Sequence, residues 1–287
     1  MLVFEYGTTI DCRFVVVSYQ QKLDIHYKLK ENTGQGFSRN LGAEKANSEW
    51  LVFFDSDCVI PPGYFEHLAQ LISDNDYSAY CGPDASRGDF SPLQRAISYS
   101  MTSFLTTGGI RGRKVKIDQE AHLRSYNLVI RKDVFQDLGG FAKTNMGEDM
   151  ELSHRFRKAG FKAQISDSIF VYHKRRNTLS SFYRLVRSFG KSRIQLKRNF
   201  EIPIKLPHLF PSVFLMGLFF AVVGLALNHS ILRFLMVPYL FYFVLIFLHA
   251  SLSQKSIRIG LLSIITSLIQ HIGYGWGFIR ELVMPDK

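Results

Sequence analysis

Apolar residues divide the chain into two parts with different patterns. Up to about residue 173, short apolar runs alternate with mixed stretches, whereas the last third carries three long apolar segments. The run at 51–54 is continuous rather than alternating, which is typical of a strand that is covered on both faces of a parallel sheet. Similar short runs at 13–17, 126–131 and 168–172 also predict strands.

Four stretches between these runs have the features of helices. Prolines are tolerated in a first helical turn, and glycines commonly follow a last turn. On this basis helices are predicted from about Ser38 to Ala46, from Pro61-Pro62 through Ile72, from Asp133 to Gly139-Gly140, and from Glu148 to Ala159. Alternating strands and helices predict an α/β domain with a mostly parallel sheet. The segment 80–117, rich in Gly, Ser, Thr and Arg, predicts long connections.

The apolar segments of the last third cover about 209–228, 231–250 and 258–279. The first two each have about 20 residues and at most one charge, which is enough to cross the hydrocarbon core of a bilayer. The third contains His271 and several glycines, so it either spans or packs against the other two. Buried helices of a soluble protein are the alternative interpretation.

Charge is concentrated directly before these segments. The chain has 35 Lys and Arg against 24 acidic residues, a net charge of +11, which suits nucleic acid, anionic lipid or phosphate-bearing substrates. Residues 174–205 hold ten cations and a single acid, Glu201, with apolar residues at helical spacing. This predicts a basic amphipathic helix on a membrane surface, with its cations on the cytoplasmic side. No nucleic-acid motif is present, so nucleic acid is excluded as a partner.

Cysteines and the N-terminus point to the same compartment. Cys12, Cys58 and Cys81 are scattered and lack a CxxC spacing, which predicts reduced thiols. No signal peptide opens the chain, so we expect the catalytic part to be cytoplasmic and the protein to be a multi-pass protein of the inner (plasma) membrane.

Two carboxylates follow the buried run at 51–54. Ligands of parallel α/β sheets bind beyond the carboxyl ends of the strands, where Asp55 and Asp57 are predicted to lie. Mg²⁺ and similar cations take one or two carboxylates together with substrate phosphates. Asp-x-Asp is by itself more often a solvated turn, so this metal-binding interpretation depends on context.

Two further positions supply that context. Glu148 and Asp149 open a predicted helix, where acids commonly cap, and where a carboxylate can also accept a proton from an attacking hydroxyl. His173 ends a predicted strand. A lone histidine is usually structural, but neutral imidazole is also a common metal ligand.

The order of these motifs resembles family 2 glycosyltransferases. The resemblance runs from about Arg13 to His173 and rests on Asn32-x-Gly34-x-Gly36-x-Ser38-Arg39-Asn40-x-Gly42, Trp50 through Asp57, Asn127 through Lys132, Gly139-Gly140-Phe141, Glu148-Asp149-Met150-Glu151-Leu152 and Arg155-x-x-x-x-Gly160. The C-terminal part, with a basic helix and a segment ending His271-x-Gly273-Tyr274-Gly275-x-Gly277-Phe278, is similar to bacterial members that assemble polysaccharides at a membrane.

The resemblance implies a GT-A (Rossmann-like) fold, a nucleotide-sugar donor, expected to be a UDP-sugar, and an inverting reaction on a lipid-linked or glycan acceptor. Asp57 and Asp55 would hold Mg²⁺ or Mn²⁺ against the donor diphosphate, with His173 as a further metal ligand. Asp149 would be the catalytic base, and Glu148 would position the acceptor. Donor contacts are expected from Asp55, Asp57, Arg39, Arg184 and Arg187. The Gln-x-x-Arg-Trp motif of many processive members is absent.

The N-terminus departs from the family pattern. Members begin with a strand and a nucleotide-seating turn, and their second strand ends in acidic residues, but Val15-Val16-Val17 is followed by Ser18-Tyr19. We therefore expect no strand before Arg13 and a chain that is shortened by about a strand and a helix. Two interpretations stay open: an active transferase, or an inactive member that serves as a membrane-bound assembly or sugar-binding subunit.

The predicted organisation has three parts. Residues 1–173 form the GT-A catalytic domain, 174–206 the basic interfacial segment, and 207–287 a membrane region with two or three transmembrane helices.

Overall fold

The computed structural model describes residues 1–6, 12–31, 34–85, 88–108, 122–142, 147–230 and 234–285. These residues form two compact units. The first unit comprises Met1–Ser56, Phe65–Gly82 and Lys116–Ile169, and the second comprises Asp57–Tyr64, Pro83–Val115 and Phe170–Lys287.

Nine strands are present in the described residues: β1 (Leu2–Tyr6), β2 (His26–Lys30), β3 (Trp50–Phe54), β4 (Cys58–Val59), β5 (Ala79–Cys81), β6 (Asp84–Ala85), β7 (Asn127–Arg131), β8 (Ala163–Ile165) and β9 (Val171–His173). The α-helices of these residues are α1 (Arg13–Tyr19), α2 (Gln35–Lys45), α3 (Tyr64–Asp74), α4 (Pro92–Thr102), α5 (Phe104–Thr107), α6 (Lys132–Asp137), α7 (Glu148–Lys158), α8 (Leu179–Phe200), α9 (Phe210–Ala226), α10 (Met236–Gln254) and α11 (Ile257–Val283).

The N-terminal part differs from the prediction. Residues 13–17, predicted as a strand, belong to helix α1, and a strand, β1, does precede Arg13. β1 pairs in parallel with β2, from Leu2 opposite His26 to Tyr6 opposite Lys30, and parallel neighbours need a crossover connection, to which α1 contributes. The absence of an acidic residue after Val17 therefore says nothing about the end of a strand.

The four-stranded sheet of the first unit has the order β3-β7-β5-β8. β7 runs antiparallel to both β3 and β5, and only β5 and β8 are parallel. The predicted α/β class is confirmed, but the sheet is mixed instead of mostly parallel. Its central strands are fully buried, as at Leu128 and Ile130, and Phe135 and Phe156 of the surrounding helices complete this core.

Several predicted elements of the first unit are confirmed. β3 and β7 lie where the continuous apolar runs predict strands. α7 lies within one residue of its predicted bounds, and α6 begins one residue before its predicted start and ends two residues before Gly139. α2 begins three residues earlier than predicted, at Gln35, and α3 begins after the proline pair, at Tyr64.

The second unit contains a small three-stranded sheet with the order β4-β9-β6. β4 is antiparallel to β9, with Cys58 opposite His173, and β6 is parallel to β9. The strand predicted at 168–172 is a 3₁₀ turn over Asp167–Ile169 followed by β9, so His173 is the last residue of the strand.

Helices make up the rest of the second unit. α4 and α5 lie inside the segment that was predicted as connections, while 86–87 and 109–117 of that segment fall outside the described residues. Among the described residues, three helical stretches are long and apolar enough to cross a membrane: Leu206–Ala226, Met236–Gln254 and Ile257–Val283. The second predicted apolar segment begins at 231, and 231–233 are outside the described residues.

Candidate functional site

Arg39 connects two carboxylates in the first unit. It lies on α2, which begins after Gly34, a residue with a φ of 95° that favours glycine. One guanidinium nitrogen donates to Asp55 at 2.6 Å and another donates to Glu148 at 2.8 Å. The Arg39 side chain is only 11% exposed. Burial lowers the pKa of Arg39, but Asp55 and Glu148 outweigh this effect and raise it, so the guanidinium stays charged.

Asn40, next to Arg39, fixes the turn that follows α6. Its side-chain nitrogen donates to the Phe141 carbonyl at 2.8 Å, and its oxygen accepts from the Phe141 amide at 2.8 Å. A Cβ at Gly140, which has a φ of 73°, would lie 2.7 Å from that oxygen, so only glycine fits. The Arg39 guanidinium also lies over the Phe141 ring, 5.3 Å from its centre. Adjacent residues of α2 thus hold the turn at 140–141 and the start of α7.

Arg155 holds the same turn from the other side. It donates to the carbonyls of Leu138 and Gly140 and forms an ion pair with Glu151 on its own helix, α7. The Glu151 side chain is 4% exposed, so this pair is largely buried. Arg155 therefore couples α7 to the end of α6.

Asp149 lies in the first turn of α7, after Gly147 in the left-handed conformation. One of its carboxylate oxygens accepts from the Met150 amide at 2.8 Å, and its backbone carbonyl accepts from Ser153 at 2.6 Å. Asp149 is half-buried, whereas Glu148 beside it is buried. The positive end of the helix favours a negative charge at this position.

A potential metal-ligand group lies in the second unit. Asp57, Cys58 and His173 offer a carboxylate oxygen, a thiol sulfur and an imidazole nitrogen that all lie within 4.8 Å of one another. The β4–β9 pairing creates this group, because it places Cys58 opposite His173. The Asp57 carbonyl also accepts from the Lys174 amide at 3.1 Å. The backbone thus fixes the positions of these residues.

Asp57 and His173 interact directly, with 3.1 Å between a carboxylate oxygen and Nε2. Burial raises the pKa of Asp57, but the hydrogen bond and charge of His173 outweigh burial and lower it. The carboxylate therefore stays ionised at neutral pH. The Asp57 side chain is 44% exposed and that of His173 is 19% exposed, so both side chains are partly accessible to solvent.

The structure separates the predicted site residues into two groups. It brings Asp57 and His173 together, as the metal-site prediction requires, but it pairs Asp55 with Arg39. Cys58 belongs to the metal-ligand group with Asp57 and His173, but it was not predicted from the sequence. Its signals were its position directly after Asp57 and the short strand that it shares with Val59. Arg184 and Arg187 lie on α8, where Arg184 is exposed and Arg187 half-buried.

The ligand atoms of Asp57, Cys58 and His173 fit a divalent cation. Carboxylate oxygen suits Mg²⁺ and Mn²⁺, and imidazole nitrogen suits transition metals. A thiol adds a softer ligand, which Mg²⁺ does not favour. The group can therefore hold a transition metal more readily than a strictly oxygen-seeking ion.

Comparisons with known proteins bear on the family and the fold of the chain. The family described as "Glycosyl transferase family 2" matches residues 7–139. The succinoglycan biosynthesis protein ExoA of Rhizobium meliloti (strain 1021) is 25% identical over 150 residues, which cover 52% of this chain and 44% of ExoA. The matched part thus spans less than half of that relative.

Solved structures resemble the whole chain. The mannosyltransferase PcManGT from Pyrobaculum calidifontis, in complex with GDP-Man and Mn²⁺, matches with a TM-score of 0.52 and 14% identity over 100% of this chain and 78% of its own. S. aureus TarS 1-349, in complex with UDP-GlcNAc, matches with a TM-score of 0.46 and 12% identity over 98% of this chain and 82% of its own. At such identities a structural likeness shows the fold alone. Together, the family match and the fold confirm the resemblance seen in the sequence.

Proposed function

We propose that this chain, a family 2 glycosyltransferase, moves a sugar from a nucleotide-diphosphate donor to a hydroxyl of a lipid-linked or polysaccharide acceptor, with inversion at the sugar carbon. The reaction takes place at the cytoplasmic face of the inner membrane. The observation that carries this proposal is the pair of Asp57 and His173, joined by Cys58. This preformed group of metal ligands includes an accessible carboxylate, that of Asp57, and a metal-dependent enzyme that uses a nucleotide-sugar donor needs such a group to hold its cation.

Asp57 and His173 hold the divalent cation in this proposal, which when bound neutralises charge on the departing nucleoside diphosphate. Mn²⁺ is the better candidate, because Mg²⁺ prefers an all-oxygen shell. The complex of PcManGT with GDP-Man and Mn²⁺ supports a nucleotide-sugar donor and a divalent cation. A UDP-sugar is our specific choice of donor. Arg184 and Arg187 are the cations proposed to contact its phosphates.

Asp149 is the proposed catalytic base. Its half-exposed carboxylate at the start of α7 can accept the proton of an acceptor hydroxyl as the oxygen attacks. Glu148 is tied to Arg39 and thereby fixes the first turn of α7, where the acceptor is positioned. Arg39, expected from the sequence to contact the donor, acts here through Asp55 and Glu148.

The acceptor and the orientation follow from other features. The ExoA match supports a role in polysaccharide assembly. The basic stretch 174–205 directly precedes the first candidate span, which by the positive-inside rule supports a cytoplasmic position for the stretch and the catalytic residues. A lipid-linked acceptor would reach the enzyme at this surface.

Replacing Asp149 with Asn tests the proposal. Loss of a general base lowers the rate about 10²- to 10⁴-fold, so we expect the rate of sugar transfer to fall by that factor. The affinity for UDP in the presence of Mn²⁺, measured by a thermal-shift titration, should be unchanged. Asp133→Asn is the matched control, because Asp133 also lies in a first helical turn and accepts from the next amide, at 2.7 Å. Its transfer rate should equal that of the wild type.

Two results would contradict the proposal. Transfer that survives Asp149→Asn removes the catalytic assignment. A wild-type protein that binds no nucleotide at any Mn²⁺ concentration favours the alternative, an inactive membrane-bound family member.

A further inference from the structure

Three consecutive cations, Lys174, Arg175 and Arg176, follow the metal-ligand group along the chain. They come directly after His173, the last residue of β9, and all of them belong to the second unit. Lys174 and Arg176 are exposed, whereas only 9% of the Arg175 side chain is exposed. The three residues carry the same charge but have different surroundings, so they are not equally available to a ligand.

Arg175 is fixed by both its side chain and its backbone. Its guanidinium forms an ion pair with Asp84 of β6, whose side chain is 13% exposed. Its carbonyl accepts from the side-chain nitrogen of Gln94 at 3.0 Å, and Gln94 is also part of the capping box that begins α4. Removing one partner of a largely buried ion pair is strongly destabilising. The charge of Arg175 is therefore neutralised within the fold.

Lys174 is fixed through its backbone. Its amide donates to the carbonyl of Asp57 at 3.1 Å, next to the β4–β9 pairing that places Cys58 opposite His173. The two residues that precede Arg176 are thus attached to β4, β6 and α4. These contacts hold Arg176 three residues after His173, beside the metal-ligand group.

Arg176 is the exposed cation of this segment whose charge acts on the metal-ligand group. In the part of the chain that the structure describes, its side chain forms no hydrogen bond and no ion pair. Burial raises the pKa of Asp57, and the hydrogen bond and charge of His173 and, to a smaller extent, the charge of Arg176 lower it. The guanidinium is therefore able to bind an anion next to Asp57.

Phosphate is the anion that suits this place. A guanidinium presents its donors in a planar fork that matches phosphate oxygens and can bind two of them at once. Sites for divalent cations commonly combine one or two carboxylates with substrate phosphates. Arg176 beside Asp57 and His173 is consequently in position to donate to the same phosphates that such a site would receive.

We propose that Arg176 binds the terminal phosphate of the nucleoside diphosphate donor, the phosphate that carries the sugar. This inference rests on the proposed function and adds a donor contact to those of Arg184 and Arg187. During transfer, the acceptor oxygen bonds to the sugar carbon, and the bond from that carbon to the phosphate oxygen breaks. The electron pair of this bond stays on the phosphate, and the acceptor proton passes to the proposed base, Asp149. Arg176 donates to the phosphate oxygens that gain the charge.

A comparison of UDP with UMP tests the assignment, because only UDP has the terminal phosphate. The full chain in detergent is titrated with each nucleotide in the presence of Mn²⁺, and thermal shifts give the affinities. Arg176→Gln should bind UDP about 10- to 100-fold more weakly than the wild type, the loss expected for a hydrogen bond to a charged group. Its affinity for UMP and its melting temperature without nucleotide should be unchanged, because Arg176 is exposed.

Lys174→Gln is the matched control. It removes the same charge from an exposed residue of the same segment, and it keeps the backbone amide that donates to Asp57. Its affinity for UDP should equal that of the wild type. Equal losses in Lys174→Gln and Arg176→Gln would show that only the net charge of the segment matters, and would overturn the assignment.

Other results would also overturn it. A loss that is equal for UDP and UMP would place Arg176 away from the terminal phosphate. If the wild type binds UDP and Arg176→Gln binds it equally well, this inference fails and the proposed function stands. If the wild type binds neither nucleotide at any Mn²⁺ concentration, both fail.

A lipid-linked acceptor is the other source of a diphosphate. The same proteins are therefore titrated with a polyprenyl diphosphate in the detergent micelles. We expect Arg176→Gln to respond to this lipid as the wild type does. If the variant loses the thermal shift with the lipid but keeps the one with UDP, the diphosphate at Arg176 belongs to the acceptor, and the assignment to the donor is wrong.

Discussion

Asp55 and Asp57 are separated by one residue, yet they belong to two groups with opposite properties. Asp55 shares a buried guanidinium with Glu148, and Arg39 satisfies both carboxylates. Asp57 is more exposed and pairs with the imidazole of His173 beside a thiol. A carboxylate held by a buried cation fixes structure, whereas a half-exposed carboxylate next to an imidazole can bind a metal. We therefore propose that the first group positions α2 and α7 and that the second group binds the ligand.

The largest expected effect comes from Asp57. Asp57→Asn removes the anionic metal ligand without changing the side chain's shape, so we expect transfer in saturating donor to fall at least 10²-fold. The melting temperature without metal should stay near that of the wild type, because the Asp57 side chain is 44% exposed. Parallel assays of transfer and thermal unfolding make the measurement. Equal losses of stability and activity would contradict the ligand role.

Arg39 gives the opposite signature. Arg39→Ala leaves Asp55 and Glu148 without their buried counter-ion, and breaking such a pair costs about 3–5 kcal/mol of unfolding free energy. Denaturant unfolding of the detergent-solubilised protein measures this loss. Arg131→Ala is the control, since Arg131 forms an exposed pair with Asp133 and should change stability little. An Arg39→Ala protein of wild-type stability that has lost donor binding would instead make Arg39 a donor ligand.

The smallest effect is expected at Cys58. Cys58→Ser replaces a soft ligand with a hard one, so the ratio of Mn²⁺- to Mg²⁺-supported transfer should fall, by roughly 10-fold if the sulfur binds the metal. Cys12→Ser is the matched control, because Cys12 lies in the first unit, outside the metal-ligand group. An unchanged ratio in Cys58→Ser would limit the group to Asp57 and His173.

The sequence predicted the parts of the fold that short-range patterns determine. β3 and β7 are continuous apolar runs, and α6 and α7 have clear ends, so local rules place them correctly. The Val-rich segment 13–17 has strand composition, but it forms α1 within the connection between two parallel strands. The parallel pairing of β1 with β2, which requires a crossover connection, joins residues 24 positions apart such as Leu2 and His26, and no local pattern predicts it.

The same limit applies to the site. The family resemblance implied that Asp57 and His173 share a metal site, and both were expected next to the end of a strand. It could not predict that Arg39 would reach Glu148, since 109 residues separate them. Cys58 was missed for a related reason. It lies opposite His173 only once the two short strands β4 and β9 pair. The roles of Asp149, Arg184 and Arg187 stay predictions that rest on the family resemblance.

A titration of Mn²⁺ by electron paramagnetic resonance, with UDP present, tests the central claim most directly. It compares the wild type with Asp57→Asn, His173→Asn and Asp55→Asn. We expect one bound ion in the wild type, much weaker binding after either change at Asp57 or His173, and binding retained in the folded fraction of Asp55→Asn. Mn²⁺ binding that survives at Asp57→Asn and His173→Asn but disappears at Asp55→Asn would contradict the account.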